Sequence, residues 1–257
     1  MSGELRVVFT EYPENSYMNM SYEEAFFLSR CNDWSNDILR IWRNENAVVI
    51  GIFQRADEEV DLDFAREKNI QVVRRFTGGG AVYHDLGNIN FALSTKIPSS
   101  MPRGVDFLYE NLINGALEAL RRLGFSPAKE NINDIVIEGK KVIGVAGSLR
   151  GDCAFLHGAM LFSTNLSTLS RVLKVPLKKL QDKKIESVKY RVSTISHLKP
   201  ELRSKDVISA LIDGFSETLD SRGYYFDMPF EKEIELARKL YAEKYSTSAW
   251  NMERRRP

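Results

Sequence analysis

The chain is 257 residues long and is poor in cysteine, poor in histidine and almost without net charge. Each scarcity excludes something. Two cysteines, Cys31 and Cys153, give no framework of structural disulfides, and they do not stand at the paired spacing of a zinc site. The 36 Lys plus Arg are matched by 35 Asp plus Glu. That balance argues against a general nucleic-acid binder, which carries a basic excess or a basic face. The short basic run Arg254-Arg255-Arg256 reads as a solvated terminus. No apolar run approaches the length of a membrane span. The first residues, which include Glu4, Glu11 and Glu14, lack the charged-then-apolar pattern of an export signal. The expectation is a cytoplasmic protein in a reducing compartment, with neither membrane nor nucleic acid as a partner.

What is present is an ordinary globular composition, 43% hydrophobic and 28% charged. The length suits one large domain, 1–257, and there is no internal repeat or low-complexity linker. Short strands separated by turn signals fill the first half. A helix through Tyr22–Ser29 is expected to be capped by Asn19 and Ser21, with Glu24 closing a capping box. Ile38–Arg43 and Ala47–Gly51 flank Asn44-Glu45-Asn46 and read as a hairpin. A helix over Leu62–Lys68 precedes a strand at Ile70–Arg74, and helical spacing runs from Phe107 to Leu123. Strands follow at Asp134–Ile137, from Lys141 onward, and from Ala154 to Phe162. Helices at Leu166–Leu173, Ser204–Arg222 and Glu231–Lys244 dominate the second half. Strands first and helices later predict an α+β fold on a mixed or antiparallel sheet.

Three segments carry the chemistry. In Arg74-Arg75-Phe76-Thr77-Gly78-Gly79-Gly80-Ala81-Val82-Tyr83-His84-Asp85, three glycines let backbone N–H groups approach an anion, beside two fixed positive charges. A flexible hairpin loop with surface arginines is the competing reading. The segment is neither a Walker A loop nor a dinucleotide fingerprint. In Asn133-Asp134-Ile135-Val136-Ile137-Glu138-Gly139-Lys140-Lys141-Val142-Ile143-Gly144-Val145-Ala146-Gly147, small residues leave room along a strand for a ligand. Lys141 at its mouth is suited to holding a carboxylate and a phosphate together; a solvent-facing lysine is the alternative. In Leu156-His157-Gly158-Ala159-Met160-Leu161, a lone histidine in a strand is more often a satisfied structural residue than a catalyst.

These motifs, in this order, resemble the lipoate–protein ligase A family. Ile50-Gly51-x-Phe-Gln54, Val172-Leu-Lys-Val-Pro176 and Tyr245-Ser-Thr-x-x-Trp250-Asn251 extend the resemblance over nearly the whole chain, which is most similar to the short archaeal form. The resemblance implies a domain related to class II aminoacyl-tRNA synthetases and biotin–protein ligases. It implies Lys141 as the catalytic residue, touching both the activated carboxyl group and the α-phosphate. Arg75, Gly80, Ala81, Val82 and Tyr83 would join it in binding ATP and lipoyl-AMP. Gly78, Gly79, His84, Asn133, Asp134, Gly144 and His157 would form the site wall or acyl channel. The implied ligands are ATP, magnesium carried by the nucleotide, and lipoate. The implied acceptors are lipoyl domains of 2-oxoacid dehydrogenase E2 or glycine-cleavage H-protein type.

Longer relatives continue past the Trp-Asn motif into a small C-terminal domain, which this chain is expected to receive as a separately encoded subunit. Without that subunit the Gly78–Gly80 segment is expected to be mobile. Two rival functions stand beside ligation: a cysteine-dependent octanoyl or lipoyl transferase, and a non-catalytic lipoyl-domain-binding protein. Neither cysteine falls where transferase motifs place one, and none lies near Val175-Pro176. The intact set of charged motif residues favours an enzyme.

Overall fold

A computed structural model describes residues 3–101, 103–174 and 191–253. Part of the Val172–Pro176 motif and the basic tail lie outside the described residues. In chain order the strands are β1 (Leu5–Val8), β2 (Ile38–Trp42), β3 (Asn46–Ile50), β4 (Gln71–Arg74), β5 (Val82–Asp85) and β6 (Asn88–Lys96). They continue as β7 (Pro127–Glu130), β8 (Asp134–Ile137), β9 (Lys140–Arg150), β10 (Cys153–Leu161) and β11 (Tyr224–Asp227). Eight of them form one sheet in the order β11-β1-β2-β6-β10-β9-β8-β7, and three form a second in the order β4-β3-β5. β1 runs parallel to both β11 and β2, whereas β2, β6, β10, β9, β8 and β7 are joined by antiparallel pairings. The fold is α+β with a mixed sheet and flanking helices, as the order of elements predicts.

Alternation along the strands gives the large sheet two buried faces. One carries Leu39, Ile41, Ile89, Phe91, Leu93, Val145 and Leu156, which pack into the main core with the helices Asn114–Arg122 and Ser204–Thr218. The opposite face, with Ala92, Cys153 and Phe155, meets Phe27 of the first helix, α1 (Ser16–Cys31). The functional cavity lies on this second face.

Three local expectations are corrected. The expected hairpin does not form, because β2 joins the large sheet between β1 and β6 while β3 joins the small sheet. Every residue of β2 is buried, so it is an inner strand, and the buried Asn44 in the link contacts Asn19 and His84. The first helix starts earlier than expected, at Ser16, with Asn15 accepting from the Met18 amide as its cap. Asn19 is buried inside the helix and donates to the carbonyls of Tyr12 and Arg43. Ser21 donates back to the carbonyls of Tyr17 and Met18, a bond that lets a capping residue type sit inside a helix. Glu24 closes no box; it accepts from Lys244 and from Tyr245. The long helical pattern from Phe107 is divided into a π-helical turn, Phe107–Leu112, and the α-helix Asn114–Arg122.

Candidate active site

β4 delivers the two arginines to the loop that leads into β5. Both guanidinium groups turn inward. Arg74 donates to the carbonyls of Trp250, Gly51, Gln54 and Asn251 at 2.6–2.9 Å. In return, Trp250 Nε1 donates to the Arg74 carbonyl and the Arg74 amide donates to Asn251 Oδ1. The Trp250-Asn251 motif is therefore a tie between the short helix Ser248–Asn251 and β4. Arg75 donates from Nη2 to the carbonyls of Gly78 and Gly80, both at 2.7 Å, and from Nη1 to Val49. The glycines are required by this closeness. Gly79 has φ +90°, and a Cβ there would stand 2.9 Å from Arg75 Nη2. A Cβ on Gly51 would stand 2.3 Å from the Gly79 carbonyl. Arg75 thereby holds two of the loop's carbonyls. Burial lowers the Arg75 pKa to about 10.

Across the cavity, a β-bulge interrupts the register of β8 and β9. Val142 and Ile143 are successive residues, yet both are fully buried in the main core. Lys141 and Gly144 consequently both line the cavity, which Lys140 does not. Lys141 Nζ lies 2.5 Å from Asp134 Oδ1. The lysine crosses the space a side chain at 144 would fill, since a Cβ there would come within 2.9 Å of both Cε and Nζ. Asn133 also lines the cavity, with its side-chain amide fixed on the Val145 carbonyl.

The cavity has two lobes that share Ala81, Val82, Lys141, Gly144 and Ala159. The inner lobe is about 520 Å³ including its open mouth and is bounded by Met20, Glu23, Trp42, His84, Asn90 and His157. The outer lobe, about 460 Å³ measured the same way, is walled by Tyr83, Leu161, Leu169, Leu173 and Val192. Within the inner lobe, Glu23 Oε1, Trp42 Nε1, His84 Nε2 and both side-chain polar atoms of Asn90 are buried, with no hydrogen-bond partner among the described residues. Burial, then the nearby Arg75 and His157, lower the His84 pKa to about 3, so its imidazole is neutral. Burial likewise raises the Tyr83 phenol to about 12.

The structure thus brings Arg75, Gly80, Ala81, Val82, His84, Asn133, Lys141, Gly144 and His157 to one cavity, with Tyr83 in its outer lobe. Asp134 joins through Lys141, and Gly78 and Gly79 flank the cavity without lining it. Met20, Glu23, Trp42 and Asn90 were missed from the sequence. Only Glu23 left a signal, as a charged residue among Tyr22, Ala25, Phe26 and Phe27 on the buried side of α1. Neither cysteine lines the cavity. Cys153 is buried, and burial together with the Cys153 thiol pushes the Cys31 thiol up to about 12. Among the described residues no group of three or more His, Cys, Asp or Glu is placed to hold a metal ion, and no helix is long and apolar enough to cross a membrane.

Comparison with known proteins agrees with this geometry. The lipoyl protein ligase A/B catalytic domain matches residues 15–216. Subunit 1 of lipoate-protein ligase A from Thermoplasma acidophilum is 39% identical over 257 residues, covering 96% of each chain. A T. acidophilum structure described as a bi-partite lipoate protein ligase with its E2 lipoyl domain superposes with a TM-score of 0.90 at 39% identity, over 99% of this chain and 98% of that one. A lipoate-protein ligase A bound with ATP superposes with a TM-score of 0.86 at 37% identity, over 98% and 99%. This chain belongs to the lipoate–protein ligase A family and is an enzyme of that family.

Proposed function

We propose that the chain activates lipoate with ATP as lipoyl-AMP and passes the lipoyl group to a lysine of a lipoyl domain. The observation that carries this reading is the position of Lys141, over Gly144 at the junction of the two lobes and facing Gly80–Val82. The inner lobe takes the acyl chain and the outer lobe the nucleotide base, so carboxylate and α-phosphate meet at the lysine. In the first step a lipoate carboxylate oxygen attacks the α-phosphorus and the bond to the β-phosphate oxygen breaks, releasing pyrophosphate. Two anions must approach, so the site's task is to neutralise charge and hold the groups in line. Lys141 does this by exchanging Asp134 for the ligand oxygens. Asp134, the carboxylate then released, is the residue that would hold a magnesium ion carried by the nucleotide, which would supply further positive charge against the phosphates. In the second step the acceptor amine attacks the acyl carbon, the bond to the phosphate oxygen breaks, AMP leaves and the amine loses a proton.

A separately encoded small subunit completes the enzyme in this reading. Support comes from the T. acidophilum relative, which is named a subunit and whose structure is described as bi-partite. In this reading the reaction belongs to the cytoplasm, where ATP is supplied. The test is pyrophosphate release by the purified chain with lipoate and ATP, then transfer to a lipoyl domain with and without a candidate small partner. Release that depends on both substrates, with transfer raised by the partner, is the expected result. A chain that performs the full reaction alone at the rate of a single-chain ligase would remove the two-part reading.

A further inference from the structure

Four side chains join the inner lobe to the glycine loop. Glu23 Oε2 lies 2.9 Å from His157 Nδ1, and His157 Nε2 lies 2.8 Å from Thr77 Oγ1. Arg75 Nε donates to Thr77 Oγ1 over 3.0 Å. All four residues are buried: Glu23 and Thr77 are 1% exposed, Arg75 4% and His157 9%.

The direction of the bonds follows from the chemistry of the ends. A carboxylate only accepts, so His157 carries a proton on Nδ1, and in the neutral imidazole form Nε2 is then a bare acceptor. Thr77 must then donate to Nε2, which leaves its oxygen to accept from Arg75. All three bonds point from Arg75 toward Glu23, and in a water-excluded interior each polarises the next. The chain runs from a guanidinium to a carboxylate, and Glu23 is the foremost group that sustains the Arg75 charge against burial.

At one end Arg75 clamps the carbonyls of Gly78 and Gly80. At the other, the second carboxylate oxygen of Glu23 has no partner among the described residues and borders the inner lobe. We propose that Glu23, His157 and Thr77 are positioning residues that lock Arg75 onto the Gly78 and Gly80 carbonyls, so that the acyl end of the cavity and the nucleotide-facing loop act as one unit. The identity of the two ligands rests on the function proposed above; the relay rests on the hydrogen bonds alone. A change at Glu23, in the acyl lobe, is therefore felt by ATP. By thermodynamic reciprocity, an occupied inner lobe and bound ATP alter each other's affinity by the same factor.

The experiment uses the full chain and the variants Glu23→Gln, Thr77→Val, their combination and Thr77→Ser. Lipoate-dependent pyrophosphate exchange reads KM for each substrate, and long-range ¹H–¹⁵N spectra read the His157 tautomer. In the unaltered chain His157 should be the Nδ1–H tautomer, and Glu23→Gln, which removes the charge that ends the chain, should raise KM for ATP about tenfold, the scale of one buried hydrogen bond. Thr77→Val should raise KM for ATP similarly, and Thr77→Ser should restore it by keeping the hydroxyl. The double variant should match the worse single variant, because a chain broken once is already broken. Additive effects, a Glu23→Gln effect confined to lipoate, or an unaltered chain in which His157 is not the Nδ1–H tautomer would overturn the proposal. If the unaltered chain exchanges no pyrophosphate, the functional reading fails, and the His157 tautomer still decides the relay.

Discussion

Lys141 reaches Asp134 across the vacant side-chain position of Gly144, with Nζ and Oδ1 2.5 Å apart. The lysine is thereby held at the junction of the two lobes by a partner that an incoming anion can replace. Lys141→Ala should abolish lipoate-dependent pyrophosphate release, and Gly144→Ala should cut it by ~10²-fold by displacing the ammonium group from its place. Circular dichroism should show both folded, since the lysine side chain is about one-third exposed. Lys140→Ala should behave as the unaltered chain. A folded Lys141→Ala variant with near-normal release would end the assignment.

The Arg74 fork predicts a stability effect. Arg74→Lys keeps the charge but cannot span four carbonyl acceptors from a planar fork, and it leaves buried groups unpaired. Denaturant unfolding should show a loss of ~2–4 kcal/mol. Asn251→Ala should cost a comparable amount. Because the two residues bond to each other, the double variant should lose less than the sum of the two.

His84 supplies a pH dependence. Its folded pKa lies near 3, against an ordinary value of 6.5. Below pH 6.5 the unfolded chain takes up a proton that the folded chain refuses, so this contribution is fully present above pH 6.5 and is lost as pH falls toward 3. The slope approaches about 1.4 kcal/mol per pH unit well below 6.5. Stability measured from pH 7 to 5 should fall, and a folded His84→Gln variant should flatten that limb. An unchanged slope would show that other groups produce it.

The cysteines predict a negative result. A thiol raised to about 12 is almost wholly protonated at neutral pH and is a poor nucleophile. Intact-mass analysis after incubation with an octanoyl carrier protein should show no thioester on Cys31 or Cys153. Cys31→Ser should retain lipoate-dependent pyrophosphate release. A stable adduct lost on that substitution would move the chemistry to the transferase class.

Much of this protein was legible in its sequence. Turn chemistry and hydrophobic periodicity located most strands and helices, and the order of elements set the α+β class. The glycine–arginine run and the Lys141–Gly144 strand marked two walls of the cavity, because their chemistry is written in consecutive residues. What the tertiary structure decided concerns partners far apart in the chain. Ile38–Trp42 and Asn46–Ile50 look like a hairpin locally, yet burial of β2 on both faces sends them to different sheets. Arg74 and Arg75 look alike in the sequence, but Arg74 turns its donors to the carbonyls of Gly51, Gln54, Trp250 and Asn251, whereas Arg75 lines the cavity and donates to Val49, Thr77, Gly78 and Gly80. Glu23, Trp42 and Asn90 enter the cavity from three separate elements, and no local pattern links them. A side chain's hydrogen-bond partners are set by which elements pack together, and in this fold the Glu23 carboxylate finds His157 on β10, 134 residues away.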